Sequence, residues 1–137
     1  MEYFAVIDTN VVVSALYRWD SIPGKIIEHA LVGKIHPLLN EKIVTEYREV
    51  TARPKLKFDK SDITHVIDGL IQRGIFLDGI PSDEPVNDPK DVIFYEVTLD
   101  ARQSDEAYLV TGNIKDFPIK PFVVTPREML DIIEKNS

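Results

Sequence analysis

Short apolar segments alternate with longer amphipathic segments along this 137-residue chain. The first apolar segment, Tyr3–Ile7, has no polar position and is therefore predicted to be a strand buried on both faces. We predict strands at Tyr3–Ile7, Ile35–Leu39, 75–77, 107–111 and 122–124, and helices that begin near Pro23, Asn40, Ser61, Pro89 and Thr125. This alternation predicts right-handed β-α-β crossovers and hence an α/β fold: a three-layer α/β/α sandwich with a central parallel sheet.

The chain length predicts a single domain over residues 1–137, large enough to bury a core. The absence of cysteine excludes disulfides, structural Cys-zinc sites and thiol chemistry. No apolar run approaches the roughly 20 residues that span a bilayer, so we expect a cytoplasmic protein without a membrane partner. The net charge of −7 disfavours a protein that holds nucleic acid by bulk electrostatics, although acids that bind cations would invert the local field.

Asp8 follows the first strand directly, in the sequence Ile7-Asp8-Thr9-Asn10. Ligands of open α/β sheets bind at the carboxyl ends of the strands, which makes Asp8 a candidate ligand-binding residue. A similar turn, Thr111-Gly-Asn113-Ile-Lys-Asp116, follows the strand at 107–111. The matching polar residues predict that the two turns are neighbours that bind one ligand. The alternative for Asp116 is that it caps a short helix in a polar turn.

Glu46 and Asp91 are two further candidates. Glu46 lies beside the apolar stripe of its predicted helix, where a carboxylate is costly unless it is paired or binds a metal. The alternative is that Glu46 lies at the edge of the stripe and reaches water, or pairs with Lys42 or Arg48. Asp91 belongs to Asp88-Pro-Lys-Asp91, a sequence that is typical of a helix start. Asp88 is predicted to be the N-cap of this helix. Asp91 can both stabilise the first helical turn and face the top of the sheet.

The candidates Asp8, Glu46, Asp91 and Asp116 offer only oxygen ligands, which favour Mg²⁺ or Mn²⁺ over zinc or copper. Several carboxylates in one pocket repel one another unless cations are bound. A site of this kind suits metal-dependent phosphodiester hydrolysis. The three histidines have no ligand-like spacing and are interpreted as ordinary helix or loop residues.

The only basic stretch follows Glu46 and contains Arg48, Arg53, Lys55, Lys57 and Lys60. It is either a contact for an RNA phosphate backbone or a solvated loop. The segment between the first strand and Pro23 is predicted to be a polar connection. Its two aromatic residues, Tyr17 and Trp19, are open to three interpretations: a homodimer contact, a platform for base stacking, or core packing.

Four motifs resemble those of the PIN domain family, in the bacterial and archaeal group of toxins from toxin–antitoxin pairs. The most specific are Val6-Ile-Asp8-Thr-Asn10-Val11 and Leu109-Val-Thr-Gly-Asn113-Ile-Lys-Asp116-Phe-Pro118. Between them lie Ile43-Val-Thr-Glu46-Tyr47 and Asp88-Pro-Lys-Asp91, in the family's order and spacing. The resemblance implies a PIN-like α/β/α fold and a metal-dependent ribonuclease for single-stranded RNA, acting as a toxin that an antitoxin protein restrains.

The same resemblance implies roles for individual residues. Asp8, Glu46 and Asp91 correspond to the first, second and third metal-binding acids. Many members carry the fourth acid directly after Thr-Gly, where this chain has Asn113, and Asp116 follows three residues later. Residues that would support the ligands or orient the substrate are Thr9, Asn10, Thr111 and Asn113. The departure at Asn113 leaves a second hypothesis open, a catalytically weak or inactive PIN-like module that binds RNA or a protein. A phosphoacceptor receiver domain is disfavoured because no other predicted strand ends in Asp.

Overall fold

The sheet is built from five apolar strands that all run parallel. The computed structural model describes residues 1–136 and gives the strand order β3-β2-β1-β4-β5. The strands are β1 (Tyr3–Ile7), β2 (Ile35–Leu39), β3 (Ile75–Phe76), β4 (Ala107–Val110) and β5 (Val123–Val124). In β1, the side chains of Ala5, Val6 and Ile7 are almost completely buried, as expected for a central strand covered on both faces.

Six α-helices surround this sheet, together with three single turns of 3₁₀ helix. The α-helices are α1 (Thr9–Tyr17), α2 (Ile22–Leu31), α3 (Glu41–Thr51), α4 (Lys60–Arg73), α5 (Val92–Arg102) and α6 (Pro126–Lys135). The 3₁₀ turns are Pro54–Leu56, Pro89–Asp91 and Ile114–Asp116. Helix α5 packs on β1, β2 and β4, whereas α2 packs against α1, α4 and α6. The predicted three-layer α/β/α fold with a central parallel sheet is confirmed.

The prediction of a polar connection after β1 is wrong, because this segment forms helix α1. Val11, Val12 and Ala15 lie on one buried face of α1, and Asp8 is its N-cap. The run of three valines has low intrinsic helix propensity, so packing of this face against the protein decides the conformation. The predicted helix start at Pro89 also needs a small correction: Pro89–Asp91 is a 3₁₀ turn capped by Asp88, and α5 begins at Val92.

The strand order places β1 between β2 and β4. The chain builds β1, β2 and β3 in one direction and then returns across the sheet to place β4 on the other side of β1. Ile7 is paired in register with Val110, so the residues that follow these two strands are neighbours. The carboxyl ends of β1 and β4 therefore form the switch point at which open α/β sheets bind ligands.

No helix within residues 1–136 is both long enough and apolar enough to cross a membrane.

Candidate metal centre

Asp8 lies at the switch point and is buried there. It accepts hydrogen bonds from the Thr9 backbone N–H at 2.8 Å, from the Thr111 hydroxyl at 2.7 Å and from the Asn10 side-chain amide at 3.3 Å. Burial raises the pKa of Asp8, and the charges of Glu46 and Asp116 raise it further, while the donors Thr111 and Thr9 oppose this shift. The hydrogen bonds therefore fix the orientation of the Asp8 carboxylate, while its buried environment disfavours the charged form.

Glu46 reaches the same place from helix α3. Its carboxylate accepts a hydrogen bond from the Thr9 hydroxyl, and the neighbouring Tyr47 hydroxyl donates to the backbone carbonyl of Ile7 at the end of β1. Tyr47 is fully buried, so this bond attaches α3 to the end of the central strand. The alternative pairing with Arg48 is wrong, because Arg48 lies 3.8 Å from Asp68 instead.

Asp91 is the third acid and is held in a different way. It is partly buried at the end of the Pro89–Asp91 turn, and its carboxylate accepts no hydrogen bond from any residue in 1–136. Burial, followed by the charges of Asp8 and Glu46, raises the pKa of Asp91 to about 7. Of the three acids, Asp91 is therefore the one whose negative charge the protein stabilises least. A bound cation would provide this stabilisation.

Carboxylate oxygens of Asp8, Glu46 and Asp91 all lie within 4.8 Å of one another. Oxygen ligands of one Mg²⁺ lie about 2.0–2.1 Å from the ion, and so up to about 4.2 Å from each other. Small side-chain adjustments would bring the three oxygens onto a single ion. The donor set, three carboxylates without imidazole or thiolate, fits a hard divalent cation.

A sequence model for the PIN domain matches residues 5–115, a span that contains all three acids. The chain belongs to the PIN domain family. No curated protein and no solved structure matches the chain. PIN domains are generally metal-dependent nucleases, and in this PIN domain the three carboxylates are a group that could hold the metal ion.

Asp116 and Asn113 lie in the turn after β4. Asp116 is not one of the three acids whose oxygens converge, but its charge raises the pKa of both Asp8 and Asp91, so it lies in their electrostatic neighbourhood. The Asn113 backbone N–H donates to the Thr111 hydroxyl at 3.0 Å. The Asn113 side chain is exposed and makes no hydrogen bond within residues 1–136, so its amide is free to contact a ligand.

Asn10 connects the two turns that converge on the site. Its side-chain nitrogen donates to Asp8, and its side-chain oxygen accepts the Gly112 backbone N–H at 3.1 Å. The similar polar sequences after β1 and β4 thus form one hydrogen-bonded unit.

Asn87 was not singled out by the sequence analysis, although it belongs to the surroundings of the site. Its side-chain nitrogen lies 3.2 Å from the Asp116 carboxylate, and its backbone N–H donates to the Asp116 carbonyl at 3.1 Å. These bonds attach the long loop before Asp88 to the turn after β4. No local pattern marks Asn87, because its partner lies far away in sequence.

An open groove of about 680 Å³ adjoins the site between α3 and the start of α5. Its acidic lining residues are Glu41, Glu46, Glu49 and Glu96, and its basic ones are Lys42 and Lys90. Acids outnumber bases, so the groove attracts cations and basic side chains and repels a polyanion.

The predicted RNA contacts lie in the C-terminal half of α3 and in the segment that follows it. Arg48, Arg53, Lys55 and Lys57 are all exposed. The core-packing interpretation of Tyr17 and Trp19 is wrong, since they are 64% and 43% exposed. Their roles as a dimer contact or a stacking platform stay predictions.

Proposed function

We propose that this PIN domain is a metal-dependent endoribonuclease that hydrolyses phosphodiester bonds of single-stranded RNA, with Mg²⁺ or Mn²⁺ as its cofactor. The observation that carries the proposal is the convergence of three carboxylates, whose oxygens lie within 4.8 Å of one another at the carboxyl end of the central strand. Three like charges at this separation favour binding of a divalent cation. The choice of RNA follows from the resemblance of the motifs to ribonuclease members of the family.

In the proposed reaction, a water oxygen bonds to phosphorus, the bond from phosphorus to the leaving sugar oxygen breaks, and the proton lost by the water is balanced by a proton that the leaving oxygen takes up to become a hydroxyl. A bound divalent cation would activate the water and stabilise the charge on the leaving oxygen. Asp8, Glu46 and Asp91 would hold this cation. The donors Thr9 and Thr111 keep two of these carboxylates oriented for it.

Two residues of the turn after β4 have proposed roles beside these acids. Asp116 would add negative charge at the edge of the site and favour a second cation. Its effect on the pKa of Asp8 and Asp91 supports this role. The free amide of Asn113 would donate to a phosphate oxygen of the substrate and orient it.

The test is cleavage of a single-stranded RNA by the purified protein with Mn²⁺, compared between the wild type and Asp8→Asn. Asparagine is also a good N-cap, so Asp8→Asn retains the start of α1 while it removes the charge and the oxygen that accepts from Thr111 and Asn10. We expect cleavage to fall by about 100-fold or more, and EDTA to abolish it.

The matched control is Asp131→Asn, which removes an exposed acid from α6. It should leave cleavage unchanged. Cleavage that persists both in EDTA and in Asp8→Asn would show that the proposed site does not perform the reaction.

We further propose that the nuclease is a toxin restrained by an antitoxin that covers the acid cluster. The acidic groove beside Glu46 suits a basic segment of such a partner, because Glu41, Glu49 and Glu96 line it. The test is co-expression with the product of a small open reading frame immediately upstream. A complex that suppresses RNA cleavage, and that Glu49→Lys weakens, is the expected result.

The second candidate function is a non-catalytic PIN-like module that binds RNA or a protein. Asn113 favours it, because no acid follows Gly112 to complete a four-acid site. Calorimetric titration with Mn²⁺ separates the two functions. Absence of Mn²⁺ binding, with RNA still bound, would favour the module.

A further inference from the structure

Tyr17 and Phe58 form an aromatic pair on the surface. Tyr17 is the last residue of α1, and Phe58 lies between the Pro54–Leu56 turn and α4. Their ring centroids are 5.0 Å apart, with an angle of 78° between the ring planes. Tyr17 stays 64% exposed in this edge-to-face contact. Two segments that are remote in sequence therefore meet and fix an exposed aromatic ring.

Four cations surround Phe58 in the sequence: Arg53, Lys55, Lys57 and Lys60. All four are exposed, and none forms an ion pair within residues 1–136. The nearby acid Asp59 accepts hydrogen bonds from Ser61. An unneutralised group of cations is notable in a chain of net charge −7.

Lys57 has an unusual backbone conformation. Its φ of 55° makes it the one non-glycine residue in 1–136 with a positive φ. A lysine in this region costs about 1 kcal/mol or more relative to glycine, which would fit the turn without strain. A charged residue therefore occupies a position where local conformation alone would favour glycine.

Both helices that lead to this corner pass the acid cluster. Helix α1 starts directly after Asp8 and ends at Tyr17, a rise of about 12 Å along its axis. Helix α3 carries Glu46 and ends at Thr51, just before Arg53, and it packs against α1. The aromatic pair and the cations thus lie within a few nucleotides' length of the candidate metal centre.

We propose that this aromatic–cationic corner, formed by Tyr17, Phe58, Arg53, Lys55, Lys57 and Lys60, is an anchoring site for single-stranded nucleic acid. The cations contact successive phosphates, and a base stacks on the exposed Tyr17 ring that Phe58 holds. A duplex keeps its bases stacked on each other, so only a single strand can use the aromatic part. The inference rests on the proposed nuclease function and specifies where its substrate binds.

A protein partner is the main competing occupant. Lysine is depleted at the cores of protein–protein interfaces, whereas it is a common phosphate contact. Three of the four cations here are lysines, which favours a phosphate backbone over a protein surface.

The experiment measures binding of a labelled single-stranded RNA by fluorescence anisotropy in EDTA, at several salt concentrations. The first variant is Lys55→Ala/Lys57→Ala, and its matched control is Lys25→Ala/Lys135→Ala, which removes two exposed lysines from α2 and α6. Each lost phosphate contact should reduce the slope of log K against log salt by about 0.7. We expect a decrease of about 1.4 for Lys55→Ala/Lys57→Ala and no change for the control.

The second arm tests stacking with Tyr17→Ala and Tyr17→Phe. The loss of one stacked base should weaken binding at least about fivefold, without a change in the salt slope. Tyr17→Phe retains the ring and should bind as the wild type does. The matched control is Phe76→Ala, an exposed aromatic residue on the edge strand β3 that should not affect binding. Urea unfolding midpoints verify that all variants are folded.

The outcomes separate this inference from the proposed function. The inference is overturned if the corner variants bind RNA with the affinity and salt slope of the wild type, and a protein partner then becomes the better occupant. It is also overturned if the wild type binds no RNA. RNA that binds through the corner but is not cleaved with Mn²⁺ would refute the nuclease and leave the anchoring site intact. If Tyr17→Ala weakened the binding of duplex RNA as much as that of single-stranded RNA, this result would also contradict the stacking role of Tyr17.

Discussion

At the residue scale, the three converging carboxylates differ in how their charge is stabilised. Asp8 accepts three hydrogen bonds, Glu46 accepts one from Thr9, and Asp91 accepts none within residues 1–136. Burial, followed by the charges of Asp8 and Glu46, raises the pKa of Asp91 to about 7. A carboxylate with a raised pKa binds a proton more tightly in the folded state than in the unfolded chain.

This difference predicts how stability depends on pH when metal is absent. The folded protein holds more protons than the unfolded chain between the ordinary pKa of 3.8 and the raised value of about 7. The contribution of Asp91 to the free energy of unfolding is therefore fully present below pH 3.8 and is lost as the pH rises through 7. In EDTA at pH 8, Asp91→Asn should raise the thermal midpoint by about 2–4 °C, a modest gain because solvent screens a partly exposed charge.

Thermal melts from pH 5 to pH 8 test this expectation. The advantage of Asp91→Asn over the wild type should shrink as the pH falls and Asp91 becomes protonated. An advantage that does not change with pH would contradict a raised pKa at Asp91.

Thr111 gives a second prediction at this scale. Its buried hydroxyl donates to Asp8 and accepts the Asn113 backbone N–H. Thr111→Val retains the shape but removes the donor, so the Asp8 carboxylate loses its orientation. We expect about tenfold weaker Mn²⁺ binding by calorimetry, as is typical when a partner of a metal ligand is removed.

Thr98→Val is the matched control for Thr111→Val. Thr98 is equally buried, but its hydroxyl donates to the Phe94 carbonyl within α5. The control should lose some stability and retain Mn²⁺ affinity. Equal affinity losses in the two variants would indicate a general packing effect instead.

At the element scale, the loop before Asp88 is attached to the site through Asn87. Asn87→Ala removes the amide that contacts the Asp116 carboxylate, so Asp116 should become mobile. If Asp116 contributes to the site as proposed, Asn87→Ala and Asp116→Asn should reduce RNA cleavage to a similar degree, about tenfold. The double variant should be no worse than Asp116→Asn alone, because both changes remove the same interaction.

Tyr95→Phe is the control for the Asn87 prediction. It removes the hydrogen bond from the Tyr95 hydroxyl to Glu84, another attachment of the same loop that does not involve Asp116. Cleavage by Tyr95→Phe should equal that of the wild type. Equal losses in Tyr95→Phe and Asn87→Ala would assign the effect to the loop as a whole.

The elements also show what local sequence could predict. The helices predicted to begin near Asn40 and Thr125 are confirmed: Asn40 caps α3, and a capping box of Thr125 and Glu128 begins α6. These signals are local, since each involves residues within one helical turn. Helix α1 was missed because its three successive valines suggest extended structure, and its helical form depends on burial against the rest of the fold.

At the scale of the whole molecule, the alternation of strands and helices predicted the layers, but the strand order needed the structure. The acids Asp8, Glu46 and Asp91 were predictable because each has a recognisable local setting: a strand end, an apolar stripe and a helix start. The contacts of Asn87 with Asp116, and of Tyr17 with Phe58, join segments remote in sequence. Such contacts depend on the tertiary fold, and no local pattern encodes them.

The site also predicts how a metal affects the stability of the whole fold. The three acids come from the end of β1, from α3 and from the start of α5, so a cation bound by all three would hold these elements together. A cation at 100 times its Kd should stabilise the protein by about 2.7 kcal/mol. Thermal melts should show a rise in the midpoint with Mn²⁺ that EDTA reverses and that Asp8→Asn lacks. A rise that persists in Asp8→Asn would place the bound Mn²⁺ elsewhere.

The position of β1 between β2 and β4 has a consequence for the timing of synthesis. The first three strands can emerge from a ribosome while Asp91 and β4 are still unmade, so Asp8 and Glu46 then lack their third acid and the donor Thr111. A nascent chain therefore lacks a complete metal centre until β4 has inserted beside β1. If the protein is the nuclease that we propose, the growing chain cannot cleave RNA until β4 has been made and has inserted beside β1.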